Sequence, residues 1–187
     1  MFTPTTQAAA LQAAERGNRL DENQVAEVLR AYSLPEDGMK TWEDLAAQIR
    51  DRQTTYASSP NMLAHMHALA LWTRDRIAQE TGGHGVLVGD IFVQRDGYDQ
   101  TTVTFWLVRK ATKTTVTVQQ IDQVEVSDGP QTMTGLTIPN PAASIGEPIR
   151  RKVHRHPTSP TPFIEPDRDA TSARLWDHKP ARFSTYA

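Results

Sequence analysis

The chain has 187 residues, no cysteine, 38% hydrophobic residues and a net charge of −2. That length allows one domain or two small ones with a core that needs no staple. The lack of cysteine excludes disulfide frameworks, thiolate catalysis and cysteine-held zinc or iron–sulfur centres, and the near-neutral charge creates no whole-molecule field favouring nucleic acid.

The hydrophobic share lies below the usual ~45–50%, a range that also counts glycine, so a modest core with some segments outside it is expected. The amino-terminal "MFTPTTQAAALQAAERGN" lacks a basic start followed by an apolar stretch. No run approaches the roughly 18 apolar residues that span a bilayer. These features predict a soluble protein that is not exported and has no membrane partner. Residues 1–85 carry 8 basic against 11 acidic side chains, and residues 86–187 carry 12 against 11. The one local concentration is "IRRKVHRH", residues 149–156.

The first half has a helical period. In "DENQVAEVLRAY", Val25, Val28, Leu29 and Tyr32 fall at i, i+3, i+4 and i+7, and Asp21 with Gln24 forms a capping-box pair. "TWEDLAAQIRDRQ" repeats this logic, with Thr41 as N-cap and Trp42, Leu45 and Ile49 as its stripe. The break between them falls at Pro35 and "EDG". The longest helix is predicted to begin near Pro60 and run to the glycines at 82, 83 and 85. His65 and His67 stand at i and i+2, so they point apart.

After the glycines the period becomes two. "VLVGDIFVQ", "TTVTFWLVRK" and "TTVTVQQ" read as strands joined by short turns, with Val103, Phe105 and Leu107 and then Val116 and Val118 inward. Ile121 breaks the parity of Val116 and Val118, which predicts a bulge or bend near residue 121. Asp128-Gly129 ends that strand, and "EPIRRKVHR" supplies another. "PTSPTPFIEPDRD", 157–169, holds four prolines and is expected to be an extended excursion, not an element. The predicted fold class is α+β: a helical region over 1–84, then over 85–187 a small SH3-like β-barrel or strongly curved antiparallel sheet.

The motifs "GDIF…GYDQT…FW" and the terminal "LWDHKPARFSTYA" resemble a family of uncharacterised proteins of phages, prophages and plasmids. In that family a Gly-Asp-Ile/Val-Phe strand leads into a Gly-Tyr-Asp-Gln-Thr turn, and the chain ends in a Trp-Asp-Gly-Lys-Pro element. The resemblance spans about residues 86–187 and is most specific at GYDQT. It implies a mobile-element setting, a compact β module and the cytoplasm of a bacterial host, but no reaction. Two positions depart from the pattern: Asp96 stands where an aromatic residue often precedes the turn, and His178 replaces the glycine.

Candidate binding residues fall in two groups. Tyr98, Asp99 and Gln100, close to Trp106, offer a stacking ring and hydrogen-bonding groups, although the same residues also suit a plain turn. Arg150, Arg151, Lys152 and Arg155 offer phosphate contacts. On a strand, Arg150, Lys152, His154 and His156 would share one face, with Arg151, Val153 and Arg155 on the other. A charged edge strand that discourages aggregation is the structural alternative.

His154 and His156 have usable metal spacing, yet no carboxylate follows at a diagnostic interval, so no metal site is expected. "TGGHGVLVG" precedes a strand and lacks Gly-Lys-Ser/Thr, which argues against a phosphate loop. There is no G-x-S-x-G elbow. A carboxylate pair such as Asp90 with Asp99 is conceivable only if geometry brings the two together.

With no cofactor motif and no catalytic set, the expected function is non-enzymatic. The β module would bind nucleic acid or a nucleic-acid-processing partner. The alternative is a protein-interaction or assembly factor, or a host-defence antagonist, acting through helices that carry Trp42, Met62, Met66 and Trp72. A small-ligand module or an enzyme ranks below both.

Overall fold

The computed structural model describes residues 4–34, 41–97, 100–127, 134–156, 159–167 and 171–184. The chain divides into two compact units, Met1–Gly85 and Val86–Ala187. Among the described residues, four helices are followed by an eight-stranded antiparallel sheet, an α+β arrangement with the helices first.

The helical unit contains α1 (Pro4–Glu15), α2 (Glu22–Ala31), α3 (Trp42–Thr55) and α4 (Pro60–Thr81). α2 starts with the predicted capping box: Asp21 Oδ1 accepts from the Gln24 N–H, and Gln24 Oε1 accepts from the Asp21 N–H. Thr41 Oγ1 caps α3 by accepting from the Asp44 N–H at 3.2 Å. Pro60 occupies the first turn of α4, and Gly82 ends it in the left-handed region at φ +61°, which suits a residue without Cβ.

Val25, Val28, Leu29, Leu45, Ile49, Met66 and Leu69 form one core. Trp42 and Trp72 pack against it edge to face at 5.4 Å. The alanine-rich helix α1 is an addition to the three expected helices. It joins the same core through Ala10 and Ala14.

The second unit contains β1 (Ile91–Asp96), β2 (Thr102–Ala111), β3 (Thr115–Ser127), β4 (Thr134–Lys152), β5 (His154–His156), β6 (Ser159–Ile164), β7 (Ala173–Leu175) and β8 (Ala181–Ser184). Their order is β5-β6-β7-β1-β2-β3-β4-β8. β4 pairs with β3 and passes through Val153 directly into β5, at the far edge of the ladder. Six strand spacings of about 4.8 Å would set β4 and β5 roughly 29 Å apart in a flat sheet. Consecutive Cα atoms lie only about 3.8 Å apart, so the sheet must curl.

A second inward turn is fixed by Thr101, whose N–H donates to the Ser184 carbonyl at 3.2 Å while the Ser184 N–H donates back at 3.1 Å. The outermost strands β5 and β8 do not pair. Of the two expected forms, the small SH3-like barrel is therefore corrected, and the strongly curved antiparallel sheet is the one observed, open and curled. Its closure is interrupted because β8 adds to the outer arm of β4 through Thr134–Thr137.

The curl covers both faces of the β1–β2 hairpin. Phe92, Trp106, Val108, Val116, Val118, Val153 and Ile164 form one core. Ile91, Val93, Val103, Phe105, Leu107, Ile121 and Ala181 form another, with Trp176 and Phe183 packed against it. Two-sided burial explains why Trp106 and Val108 are buried as well as the predicted Val103, Phe105 and Leu107. The register shift at Ile121/Asp122 is the predicted bulge.

The Pro-rich excursion at 157–169 is corrected in part, because Ser159–Ile164 is a strand. Pro160 and Pro162 are tolerated because the ladder pairs only Ser159, Phe163 and Ile164, so no proline has to donate. The Pro35 break and Asp128-Gly129 lie outside the described residues.

Candidate nucleic-acid interface and a second cationic cleft

The β2–β3–β4 surface carries the basic groups. Thr117 of β3 lies between Lys110 of β2 and Arg150 of β4, and Thr115 faces Lys152. Directly paired residues share a face, as do residues two apart on a strand. Lys110, Thr115, Thr117, Arg150 and Lys152 therefore lie on one face, with Val116 and Val118 buried on the other.

The shift between Val108 and Lys110 adds Arg109 to that face. In a regular strand Arg109 and Lys110 would point to opposite sides, and the extra residue of a bulge removes that constraint. Arg109 Nε donates to Gln119 Oε1 at 3.0 Å, and its Nη2 donates to Ser144 Oγ at 2.5 Å. Arg150 Nε donates to Thr115 Oγ1 at 3.0 Å. Lys113 lies exposed in the connection between β2 and β3.

Among the described residues, none of these five cations is in an ion pair. Glu147, the one carboxylate on this part of β4, lies in the irregular stretch between Ile145 and Ile149. The five cations lie on these strands and the β2–β3 connection, and two of them, Arg109 and Arg150, are held by hydroxyl and amide oxygens.

The other predicted binding residues are dispersed. Arg151 is half-buried, and its Nε donates to the Pro166 carbonyl at 2.7 Å, fixing the segment after β6. Arg155 is exposed on β5 beyond the break at Val153, so the expected continuous stripe is split. His154 stacks on Phe163 at 5.3 Å.

Trp106 is 8% exposed, and its Nε1 donates to Gln94 Oε1 at 2.9 Å inside the core. The structure thus places it in the scaffold, away from any recognition surface. Gln100 is exposed, while Tyr98 and Asp99 lie outside the described residues. Gln100 precedes β2 and Arg150 is level with Lys110 near its other end, a separation of roughly 25–30 Å along the strand. Among the described residues, Gln100 and the Arg150–Lys152 group do not form one site.

Thr101, next to Gln100, instead borders a cleft of about 510 Å³ whose described lining includes Arg95, Thr134, Arg182, Phe183 and Ser184. Sequence reasoning missed this set because its members come from strands distant in the chain. Arg109, Lys110 and Lys113 were also missed, although "RKATK" is itself a local basic run.

Other candidates are structural. Asp90 is 3% exposed, and its Oδ2 accepts from the Leu87 N–H at 2.9 Å, closing a turn. Trp176 Nε1 donates to the Lys179 carbonyl at 2.7 Å. His178, at φ +63°, stacks on Trp176 at 4.5 Å, so the WDHKP element is a packed turn between β7 and β8.

In the helical unit, His65 is 4% exposed and lies between Tyr32 and Glu15. Nε2 stands 3.2 Å from Glu15 Oε1, and Nδ1 stands 2.6 Å from the Tyr32 hydroxyl. The Nε2 contact with Glu15 is one of distance only and lacks hydrogen-bond geometry, whereas the Tyr32 hydroxyl and Nδ1 are within hydrogen-bond reach. Burial, then the neighbouring Tyr56 and Glu15, raise the Tyr32 pKa. The phenol is thereby kept as a donor, and the cluster ties α1, α2 and α4 together.

Compared with known protein families, curated proteins and solved structures, the chain has no match. Among the described residues, no helix is long and apolar enough to cross a membrane, and no group of three or more His, Asp or Glu is placed to hold a metal ion.

Proposed function

We propose that the β unit is a nucleic-acid-contacting module that engages the phosphate backbone through Arg109, Lys110, Lys113, Arg150 and Lys152. The observation that carries this reading is the convergence of five cations on one surface formed by three consecutive strands and a turn. Lysine and arginine contacts to phosphate give affinity without sequence preference. Buried Trp106 leaves base stacking out of this surface. The resemblance at GDIF and GYDQT supports a mobile-element accessory role for the protein, in the cytoplasm of a bacterial host. The open, curled sheet would present one face to its partner.

The test is fluorescence anisotropy with duplex and single-stranded oligonucleotides across a salt series. Three to five phosphate contacts on duplex DNA predict a slope of log K against log salt of about −3 to −4.5. Lys110→Ala with Arg150→Ala should weaken binding and reduce the slope by about two. No binding at low salt would overturn the reading.

A protein partner is the second reading. On the helices Met66 is fully buried and Trp42 and Trp72 pack partly buried against the core, so that of the four expected contacts only Met62 is exposed, at 40%. The favouring observation is on the β3–β4 arm, where Val124 faces Ile138 and Leu136 lies two residues along, all more than 40% exposed. Co-purification that Ile138→Asp abolishes would support it over nucleic-acid contact.

A further inference from the structure

We propose that the partner of the basic surface is double-stranded DNA, held across its minor groove by two columns of cations; this rests on the nucleic-acid reading above. The strand register sets the geometry. Lys110, Thr117 and Arg150 form one rung across β2, β3 and β4, so Lys110 and Arg150 stand two strand spacings, about 10 Å, apart. Thr115 and Lys152 form the next rung, about 7 Å along. Thr112 shares that rung, since its Oγ1 lies 2.9 Å from Thr115 Oγ1.

Arg109 lengthens the column on the β4 side. It starts on β2, but its guanidinium crosses to Gln119 and to Ser144 of β4. Gln119 lies two residues beyond Thr117, a further step of about 7 Å. One column therefore consists of Lys152, Arg150 and the Arg109 head group. The other consists of Lys110 and of Lys113, in the β2–β3 turn that the Thr112 N–H closes by donating to the Thr115 carbonyl at 2.9 Å. All five cations are exposed. Of the five donors on a guanidinium, Arg109 uses two and Arg150 one, each on a neutral oxygen. Those bonds fix the head groups and leave their charge and remaining donors to a ligand.

Two lengths select the duplex. Neighbouring phosphates of one strand lie about 7 Å apart, given a rise of about 3.4 Å per phosphate and the winding of the helix, which matches the steps within a column. The minor groove is ~6 Å wide and the major groove ~12 Å. Columns about 10 Å apart, carrying long side chains, thus reach both backbones that border the minor groove but not those that border the major groove. A single strand can follow only one column. It also depends on aromatic platforms, whereas the side chains between the columns are Thr112, Thr115, Thr117 and Gln119.

The test follows the fluorescence anisotropy of a labelled DNA duplex, of one of its strands alone and of an RNA duplex of the same sequence, each titrated with the whole chain across a salt series. Five contacts on the duplex and three on the single strand predict slopes of log K against log salt of about −4.5 and −2. A fourfold rise in salt should then weaken duplex binding about 500-fold and single-strand binding about 20-fold. The RNA duplex, whose minor groove is wide and shallow, should bind less tightly than the DNA duplex. Lys110→Ala with Lys113→Ala should bring the duplex slope to about −2.7 and narrow the preference for duplex. Arg150→Ala with Lys152→Ala should weaken both forms. Lys110→Arg with Lys113→Arg should retain the preference, and an unchanged melting curve in each variant would show that the fold is kept.

Equal affinities and slopes for duplex and single strand, an RNA duplex bound as tightly as the DNA duplex, or equal losses on both forms in Lys110→Ala with Lys113→Ala would overturn the inference. Each of these would leave the phosphate-backbone reading in place. Absence of binding to all three nucleic acids at low salt would overturn both.

Discussion

Replacing Gln94 with leucine isolates one polar contact inside the β unit. Gln94 is 3% exposed, its Oε1 accepts from Trp106 Nε1 at 2.9 Å, and its Nε2 donates to Asp96. The substitution leaves an indole N–H buried without an acceptor, which costs about 1–3 kcal/mol. Asp96 is half-exposed and can regain water, so its loss adds little. The expected destabilisation is thus about 2 kcal/mol. If the β unit melts on its own, that lowers its Tm by roughly 8–16 °C, measurable by near-UV circular dichroism. Trp106→Phe alone should also destabilise, through lost volume and an unsatisfied Gln94 oxygen. The double variant should lose less than the sum, because both polar partners are gone, with a coupling of about 1 kcal/mol or more. Additivity of the two substitutions within about 0.5 kcal/mol would refute the reasoning.

Gly97→Ala should destabilise the β1–β2 hairpin by on the order of 3 kcal/mol. Gly97 has φ +112°, and an added Cβ would meet the Gln100 carbonyl oxygen at 1.7 Å. An unchanged melting temperature would mean that the turn does not take this form. The raised Tyr32 pKa links helical stability to alkaline pH. Its contribution is complete below the ordinary tyrosine value of 10.0 and is lost as pH rises through the higher folded value. Denaturant titrations between about pH 9 and 12 should show this loss, and Tyr32→Phe should remove it; an identical alkaline slope in the variant would argue against the assignment.

The helices were legible where side-chain size marks a period. Val25, Val28 and Leu29 with the Asp21–Gln24 box define α2 locally, and Thr41 and Pro60 mark two further starts. α1 escaped notice because its buried positions are Ala10 and Ala14, which contrast weakly with their neighbours. The strands and the bulge near Ile121 followed from period two. β6 did not, since Pro160 and Pro162 read as breakers until the ladder is seen to leave them unpaired. The curl and the Thr101–Ser184 bridge depend on contacts between distant residues, which no local pattern encodes.

The same distinction decides which site residues could be found. Arg150 and Lys152 were readable as one face of a strand, because their spacing alone fixes their direction. Arg109 joins them only through a bulge, and Arg95 meets Arg182 only because β8 returns beside Thr101. The strands on either side of GYDQT were legible from their period, whereas Tyr98 and Asp99 lie outside the described residues. The turn joins β1 to β2, the two strands on which both cores of the unit meet. Substitutions within that hairpin, such as Gln94→Leu, should therefore disturb the cleft and the basic surface together. Substitutions of exposed cations should act on one surface and spare the other. That contrast separates loss of scaffold from loss of contact in any binding measurement on this protein.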